Sequence, residues 1–357
     1  MALSNRENYI KNATFQGPEW IPMQLGASGA SRMQLREDLE DVMARHEWMF
    51  PGFEKGKFDY ENWDPGPAHR AGQTFKDAWG CTWGSSIDGI EGVVIEFPLV
   101  DWDSFDLWRA PDPLETGDRG PVNWQATREG VQAAKARGDL TMGGLPHGFM
   151  FMRLTYLRGF ENALLDMATD DLRMRRLIEV LVEHNMKIVR QYVDMGVDVM
   201  NLGEDLGTQT GSIISPAMFR KWITPTYETL IAPCRDKGML VALHSDGNIM
   251  DLMDEFDIAG VGIINPQDLC NGIDNLAREV KGRFCIRLDV DRQTIVPFGT
   301  RSEIRSLIEE EVRKLGSPQG GLEFICGIYP PTPAENVDAV LEAMKEFRTY
   351  WWDGRGG

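Results

Sequence analysis

Short apolar runs alternate with amphipathic segments along the chain from residue 139 onward. The runs predict strands over 140–145, 197–202, 239–243, 260–264, 284–288 and 322–326. Apolar positions recurring at helical spacing predict helices over 161–167, 171–195, 215–237, 248–256, 273–280, 301–315 and 333–350. An earlier run over 20–25, followed by a helical pattern over 32–46, adds a seventh strand–helix unit.

This alternation predicts an α/β protein, because strands separated by helices pair side by side in parallel. Seven or eight such units favour a (β/α)8 TIM-type barrel over an open doubly wound sheet. The chain lacks the glycine-rich phosphate loops that define Rossmann and P-loop proteins. We therefore predict one barrel domain over 1–357, with regular strand–helix units over 126–357.

Residues 1–125 differ in composition from the rest of the chain. They are rich in Trp, Gly, Pro and Asp and show little sustained periodicity of apolar positions. This composition predicts long loops and short strands pinned by aromatic side chains. Packing accounts for most of these rings, although ordered aromatic loops on an enzyme scaffold also form substrate pockets.

Charge and composition narrow the function. The net charge of −18 argues against a nucleic-acid partner, because phosphate binding needs a concentrated basic surface. No segment approaches the roughly 20 apolar residues that span a bilayer, and the first residues lack the apolar core of a signal peptide. Five cysteines without a close pair are typical of free thiols. We expect a cytoplasmic protein, with a homodimer as an open alternative.

Polar side chains follow most of the predicted strands, where a parallel barrel builds its active site. They are His147, Glu204, Asp205, His244, Asp246, Asn265, Gln267, Asp289, Asp291 and Cys326. Each type also has a structural explanation: carboxylates cap turns or bind loop amides, amides brace loops, and a loop histidine can face solvent. The convergence of these positions on one barrel mouth is what favours a site.

The segment His244-Ser-Asp246-Gly-Asn248, taken together with Cys326, is the strongest signal. Histidine, carboxylate and thiolate are all metal ligands, and histidine with thiolate suits Zn²⁺. The alternative is a tight turn and a helix N-cap at 246–248 without any metal. The residues alone leave both interpretations open.

Four stretches carry a family resemblance, and their order and spacing together are more specific than any one of them. They are LRGFENALLDM over 157–167, ISPAMF over 214–219, VDRQTIVPFG over 290–299 and CGIYPPTPAEN over 326–336. The chain resembles the uroporphyrinogen decarboxylase superfamily, which includes tetrapyrrole decarboxylases and zinc-dependent, corrinoid-linked methyltransferases.

The methyltransferase branch carries a His-x-Cys-Gly-Asn element and a cysteine shortly before Thr-Pro-x-Glu-Asn. This chain matches the first element at His244–Asn248, with Asp246 in place of the cysteine, and matches the second from Cys326. The resemblance implies His244, Asp246 and Cys326 as zinc ligands. It also implies Glu204 as a fourth ligand or a substrate contact.

The decarboxylase branch holds its substrate's carboxylates with a cationic R-Q-A-G-R stretch near the N-terminus. The corresponding region here reads QLGASGASR over 24–32, so this motif is absent. Arg32 and Arg36 lie at its end, four residues apart. A metal-independent decarboxylase is therefore the second prediction.

The first prediction is a methyltransferase that moves a methyl group between a small methylated substrate and a cobalamin-bearing corrinoid protein. Zn²⁺ would act as the Lewis acid, and the Trp-rich part would suit an aryl methyl ether. We assign catalytic roles to His147, Glu204 and Asp205, and substrate binding to Gln24, Asn265 and Asp289. A retained barrel that binds a corrinoid or tetrapyrrole without turnover is a third alternative.

Overall fold

A computed structural model describes residues 3–356. The strands in this part of the chain are β1 (Met23–Ala27), β2 (Thr74–Lys76), β3 (Thr82–Gly84), β4 (Val93–Glu96), β5 (Thr116–Gly117), β6 (Gly120–Pro121), β7 (Met142–Gly144), β8 (Val199–Asp205), β9 (Leu240–Asp246), β10 (Ile263–Pro266), β11 (Cys285–Asp289) and β12 (Leu322–Ile328). The α-helices are α1 (Asn5–Ala13), α2 (Gly29–Arg45), α3 (Trp124–Arg137), α4 (Phe151–Arg158), α5 (Phe160–Ala168), α6 (Leu172–Met195), α7 (Pro216–Trp222), α8 (Thr224–Asp236), α9 (Met253–Ala259), α10 (Asp268–Asn271), α11 (Ile273–Glu279), α12 (Ile295–Phe298), α13 (Arg301–Leu315) and α14 (Ala334–Phe347).

The central sheet is parallel, and its seven strands run in the order β1-β12-β11-β10-β9-β8-β7. The sheet curls strongly. This is shown by a 3.0 Å hydrogen bond from Arg287 on β11 to Asn201 on β8, although two strands lie between them in the sheet. Such a contact is made across the inside of a barrel. The predicted TIM-type fold is confirmed, with β1 and β7 as the two ends of the described sheet.

The strands extend further toward their carboxyl ends than the apolar runs predict. Strand β8 reaches Asp205 and β9 reaches Asp246, so these predicted loop residues are the last residues of strands. Backbone pairing continues to that level, where Asp205 lies opposite Asp246. The side-chain direction of each residue is therefore set by the alternation of its strand.

The strands point alternate side chains into the barrel and out toward the helices. The lower interior is apolar, with Val199, Ala242, Ile263 and Cys285 packed against Tyr9 of α1. Sequence reasoning did not predict α1, a short helix that begins with a capping box formed by Ser4 and Glu7. The outward-facing strand residues form the large core with the surrounding helices.

The tryptophans of the first third act mainly as packing residues. Trp79, Trp83 and Trp102 are buried. The guanidinium of Arg153 lies 4.7 Å from the Trp79 ring, and that of Arg158 lies 4.0 Å from the Trp102 ring. Cation–π contacts of this kind attach the Trp-rich segment to α4.

No helix in residues 3–356 combines the length and the apolar character needed to cross a membrane.

Candidate active site

The carboxyl ends of β8 and β9 carry the candidate site. The loops after these strands touch at two glycines: a Cβ on Gly207 would lie 2.5 Å from the carbonyl carbon of Gly247, and Gly247 has a φ of +79°. Only glycine permits this close approach. The two strand ends, with Asp205 and Asp246 on them, are thereby held side by side.

The imidazole of His244 is oriented by a neighbouring amide. Its Nδ1 lies 2.9 Å from Oδ1 of Asn265, whose Nδ2 donates to the Arg287 carbonyl oxygen at 2.6 Å. Since that second bond fixes which end of the amide is oxygen, His244 must carry its proton on Nδ1. Its Nε2 then has a free lone pair.

That lone pair faces two carboxylates. Nε2 of His244 lies 3.4 Å from Oδ1 of Asp246 and 3.9 Å from Oδ1 of Asp205. Nε2 of His147, from the loop after β7, lies 3.3 Å from the same Asp205 oxygen. The ligand atoms fall into two groups whose members lie within 4.8 Å of one another. The first group is His147, Asp205 and His244, and the second is His244, Asp246 and Asp289.

The two groups differ in charge compensation. Arg292 forms ion pairs with Asp246 and, at 3.2 Å, with Asp289, so the second group already contains a guanidinium. Within the described residues, Asp205 pairs only with the two histidines. The first group therefore has a carboxylate and two imidazoles without a permanent cation.

The pKa shifts follow from burial and from these contacts. Burial lowers the pKa of His244 although both neighbouring carboxylates oppose this shift. Burial also acts to lower the pKa of His147, but the hydrogen bond and charge of Asp205 outweigh it and raise that pKa. Burial acts to raise the pKa of Asp205, but the hydrogen bond to His147 and the charges of His147 and His244 together lower it. Burial raises the pKa of Asp289 to about 7 against the charge of Arg292.

This donor set fits Zn²⁺. Catalytic zinc is bound by three protein ligands, two histidines and a carboxylate among the known sets, with a fourth position left for water or substrate. His147, Asp205 and His244 supply that set, and the amide of Asn265 behind His244 matches the outer support that metal-bound histidines require.

Glu204, predicted to be catalytic, anchors the start of α4 in this structure. It is completely buried, and its oxygens accept hydrogen bonds from the backbone N–H groups of Met150, Phe151 and Met152 at the start of α4. Burial raises its pKa to about 7, against the effect of these bonds. The side chain faces away from the mouth and holds α4 against β8.

Cys326, predicted to be a zinc ligand, belongs to neither ligand group. On β12, Glu323 points into the barrel, where it contacts Arg287 at 2.8 Å. Alternation then turns Cys326 outward, into the fully buried core between sheet and helices. Burial raises the pKa of its thiol well above the usual value, so the thiol is neutral in this core. In this structure Cys326 therefore lies apart from the candidate ligands.

Two of the three residues predicted to contact substrate, Gln24 and Asn265, lie outside the two ligand groups. Asn265 is buried and orients His244, as described above. Gln24 lies in a cleft with Tyr9 and Arg348, and it belongs to neither ligand group. Asp289 does lie with His244 and Asp246, as a third acidic neighbour of Arg292 and the imidazole.

Sequence reasoning missed Arg292 and Tyr329. The Arg292 guanidinium, bound to two site carboxylates, lies 5.3 Å from the Tyr329 ring. The signal was present, because Arg292 lies three residues after Asp289 in a stretch already noted for its family resemblance. An arginine close in sequence to aspartates at a strand end is a candidate for balancing their charge.

The alternative of a turn at 246–248 is also realised. The Gly247 N–H donates to Gln267 at 3.0 Å, and Asn248 accepts from the Met250 N–H at 3.3 Å. The turn and the ligand group therefore coexist: the turn fixes the backbone, and the side chain of Asp246 faces the site.

Comparison with known proteins is consistent with this fold. The family model for "Uroporphyrinogen decarboxylase (URO-D)" matches residues 77–347. A uroporphyrinogen decarboxylase of Thermus thermophilus is 27% identical over 178 residues, which are 48% of each chain. One from Solibacter usitatus is 26% identical over 265 residues, 72% of each chain. The matched region thus spans about half the length of the Thermus relative.

A solved structure extends the likeness over almost the whole chain. A methyltransferase from Methanosarcina mazei superposes with a TM-score of 0.62, covering 96% of this chain and 98% of the other, at 14% identity. Identity this low supports a shared fold and nothing finer. The family model, by contrast, covers well over half of the chain, and the chain belongs to the uroporphyrinogen decarboxylase (URO-D) family.

Proposed function

We propose that this protein is a zinc-dependent methyltransferase that passes a methyl group between a small methylated substrate and a corrinoid protein. The observation that carries the proposal is the convergence of His147, Asp205 and His244 at the barrel mouth, with Nε2 of His244 open. When bound there, Zn²⁺ would polarise the heteroatom that carries the methyl group.

The chain's own residues shape the place where that substrate would lie. Beside His147, the ring of Tyr156 packs so closely that a Cβ on Gly148 would lie 2.9 Å from it. Trp83 packs edge-on against this ring at 5.0 Å, and Met152 lies beside the backbone of Asp205. This apolar wall would exclude water and accommodate a methyl group, while Arg292 balances the acidic side of the mouth.

Decarboxylation of a porphyrinogen is the second candidate, favoured by the names of the sequence relatives. A substrate with many carboxylates needs unpaired cations. Arg292 and Arg287 already bind carboxylates, Arg36 pairs with Glu61, and Arg32 stacks on Phe58. The acidic mouth would repel a polyanion, and we therefore prefer methyl transfer.

Metal analysis of the purified chain and its variants tests the ligand set. We expect about one zinc per chain, lost in His147→Ala and in His244→Ala. Cys326→Ala should keep its zinc, since the thiol lies outside both groups. His46→Gln serves as the matched histidine control, because His46 bonds to Asp338 on α14 and belongs to neither ligand group. Loss of zinc in Cys326→Ala alone would restore the thiolate-containing site and overturn this one.

Activity then separates the two candidate reactions. The zinc-loaded chain should convert reduced cobalamin to methylcobalamin with a methylated donor, monitored by the absorption spectrum of the cobalt centre. His244→Ala should lose this activity by at least two orders of magnitude. A metal-free chain that decarboxylates uroporphyrinogen at full rate would instead establish the second candidate.

A further inference from the structure

A cavity of about 320 Å³ lies beside β7, and its lining contains no member of either ligand group. Its walls come from the end of β7, from the β5–β6 hairpin, from the start of α3 and from one face of α6. The lining residues on which the argument rests are Trp124, Leu145, Ile188, Tyr192, His184 and Asp118. A cavity of this size accommodates a single aromatic ring with small substituents.

The cavity lies beside β7, which is the end strand of the parallel sheet in the described residues. The N–H of Leu145 donates to Asn201 of β8 at 3.0 Å, which leaves the other edge of β7 without a neighbouring strand. The β5–β6 hairpin and Trp124 line the cavity together with the end of β7.

Two rings give the cavity a fixed aromatic wall. Trp124 and Tyr192 meet edge to face with their centroids 5.4 Å apart, and the indole N–H donates to the Pro113 carbonyl at 2.9 Å. Tyr192 lies directly on β7, since a Cβ on Gly143 would be 2.3 Å from its ring. With both rings held in place, the wall is preformed for a flat apolar ligand.

One polar side chain of the lining, His184, offers a hydrogen-bond acceptor that no donor in the described residues occupies. Both oxygens of Asp118 are used, by the Trp79 indole and by Arg153, each at 2.7 Å. Nδ1 of His184 donates to the Pro111 carbonyl at 3.0 Å, and burial lowers the His184 pKa to about 4. The imidazole is thus neutral at pH 7, and its Nε2 is an acceptor that no donor in residues 3–356 approaches.

We propose that this cavity is a binding site for a neutral phenolic compound. Its ring would lie against Trp124 and Tyr192, and its hydroxyl would donate to Nε2 of His184. A neutral ring suits the apolar walls, while a phenolate or carboxylate would meet the acceptor nitrogen and the Asp118 charge. The inference goes beyond the proposed methyl transfer, because binding requires neither metal nor turnover.

Calorimetric titration with phenol and with anisole tests the site, since anisole has the same ring without the hydroxyl proton. Phenol should bind about tenfold more tightly, the effect of one satisfied hydrogen bond in a buried setting. His184→Leu should abolish this preference while both compounds still bind. Ile188→Trp should fill the cavity and remove binding of both.

Two further titrations make the result specific. His147→Ala should bind phenol as the unaltered chain does, which separates this cavity from any metal-bound phenolate. Leu172→Ala, an exposed substitution on the same helix, serves as the control for a general loss of packing. Equal affinity for phenol and anisole, or a preference retained in His184→Leu, would overturn the proposal.

Discussion

At the scale of single residues, the side-chain amide of Asn265 decides what His244 can do. A histidine whose Nδ1–H is engaged offers Nε2 as a ligand, whereas a freely rotating ring offers either nitrogen in either direction. Such outer contacts are worth about one to two orders of magnitude in metal affinity. The pair of hydrogen bonds on this amide therefore fixes which nitrogen of His244 can bind a metal.

Asn265→Ala should weaken zinc binding about 10–100-fold, because His244 loses the acceptor that fixes its tautomer and ring orientation. Competition with a chromophoric chelator measures the affinity. Asn265→Asp keeps an acceptor for Nδ1–H and should restore most of it. Unchanged affinity in the alanine variant would show that the imidazole is held by other contacts.

The candidate site was only partly predictable from residues in isolation. His147, Asp205, His244, Asp246 and Asp289 come together because each lies at or just after a strand end, which the βα pattern locates. The roles of the buried residues depend on whether their side chains point into the barrel or out toward the helices. The predicted strands ended before Glu204 and Asp246, so the sequence did not show these directions. On β12 the parity was available, since Glu323 and Cys326 are three apart and must face opposite ways.

At the scale of elements, Asp338 on α14 joins three helices. Its carboxylate accepts from Arg45 and from His46 at the end of α2, and from Arg301 at the start of α13. Burial opposes the charge, but these three donors prevail and lower the Asp338 pKa to about 2. These bonds connect α14 to α2 and α13 in the outer helical layer.

Asp338→Asn should lower the free energy of unfolding by about 1 kcal/mol at pH 7, a value reduced for solvent screening of the exposed arginines. A folded-state pKa below the usual 3.8 means that the stabilisation is present above that pH and disappears as pH falls toward 2. Urea unfolding of both chains from pH 7 down to 3 measures the difference. Glu342→Gln, which removes an exposed partner of Arg301, should change stability far less.

Elements with strong periodicity were predicted closely, and those set by tertiary contacts were not. Helix α13 has the predicted bounds of 301–315, and α6 begins one residue inside its prediction. The predicted helix over 215–237 is instead two helices that meet at Ile223, whose backbone serves as cap for both. Helix α1 was missed because its apolar content is low and Tyr9 finds its burial only inside the barrel.

At the scale of the whole molecule, a polar cluster around Arg287 lies inside the barrel, next to the apolar layer that packs against Tyr9. Arg287 binds Glu323 at 2.8 Å and Asn201 at 3.0 Å, and it also donates to the hydroxyl of Tyr9. These residues join β11, β12, β8 and α1 through one buried guanidinium. A charge in such a position is stable only with its partner.

Glu323→Leu should therefore lower the free energy of unfolding by about 3–5 kcal/mol, because it leaves Arg287 buried without its counter-charge. Denaturant unfolding measures the loss. The double variant Arg287→Met with Glu323→Leu should recover a large part of it, since no unpaired charge remains. Additive losses in the double variant would show that the two side chains act independently.

The absence of sulfur from both ligand groups has a consequence for the conditions that the proposed site would tolerate. A zinc site built from nitrogen and oxygen donors has no sulfur that peroxide could oxidise or an alkylating reagent could block. The thiol of Cys326 lies behind the strand, and among the five cysteines only Cys270 is partly accessible. The two ligand groups at this mouth would therefore keep their donor atoms under oxidising conditions, whereas a thiolate ligand would be lost.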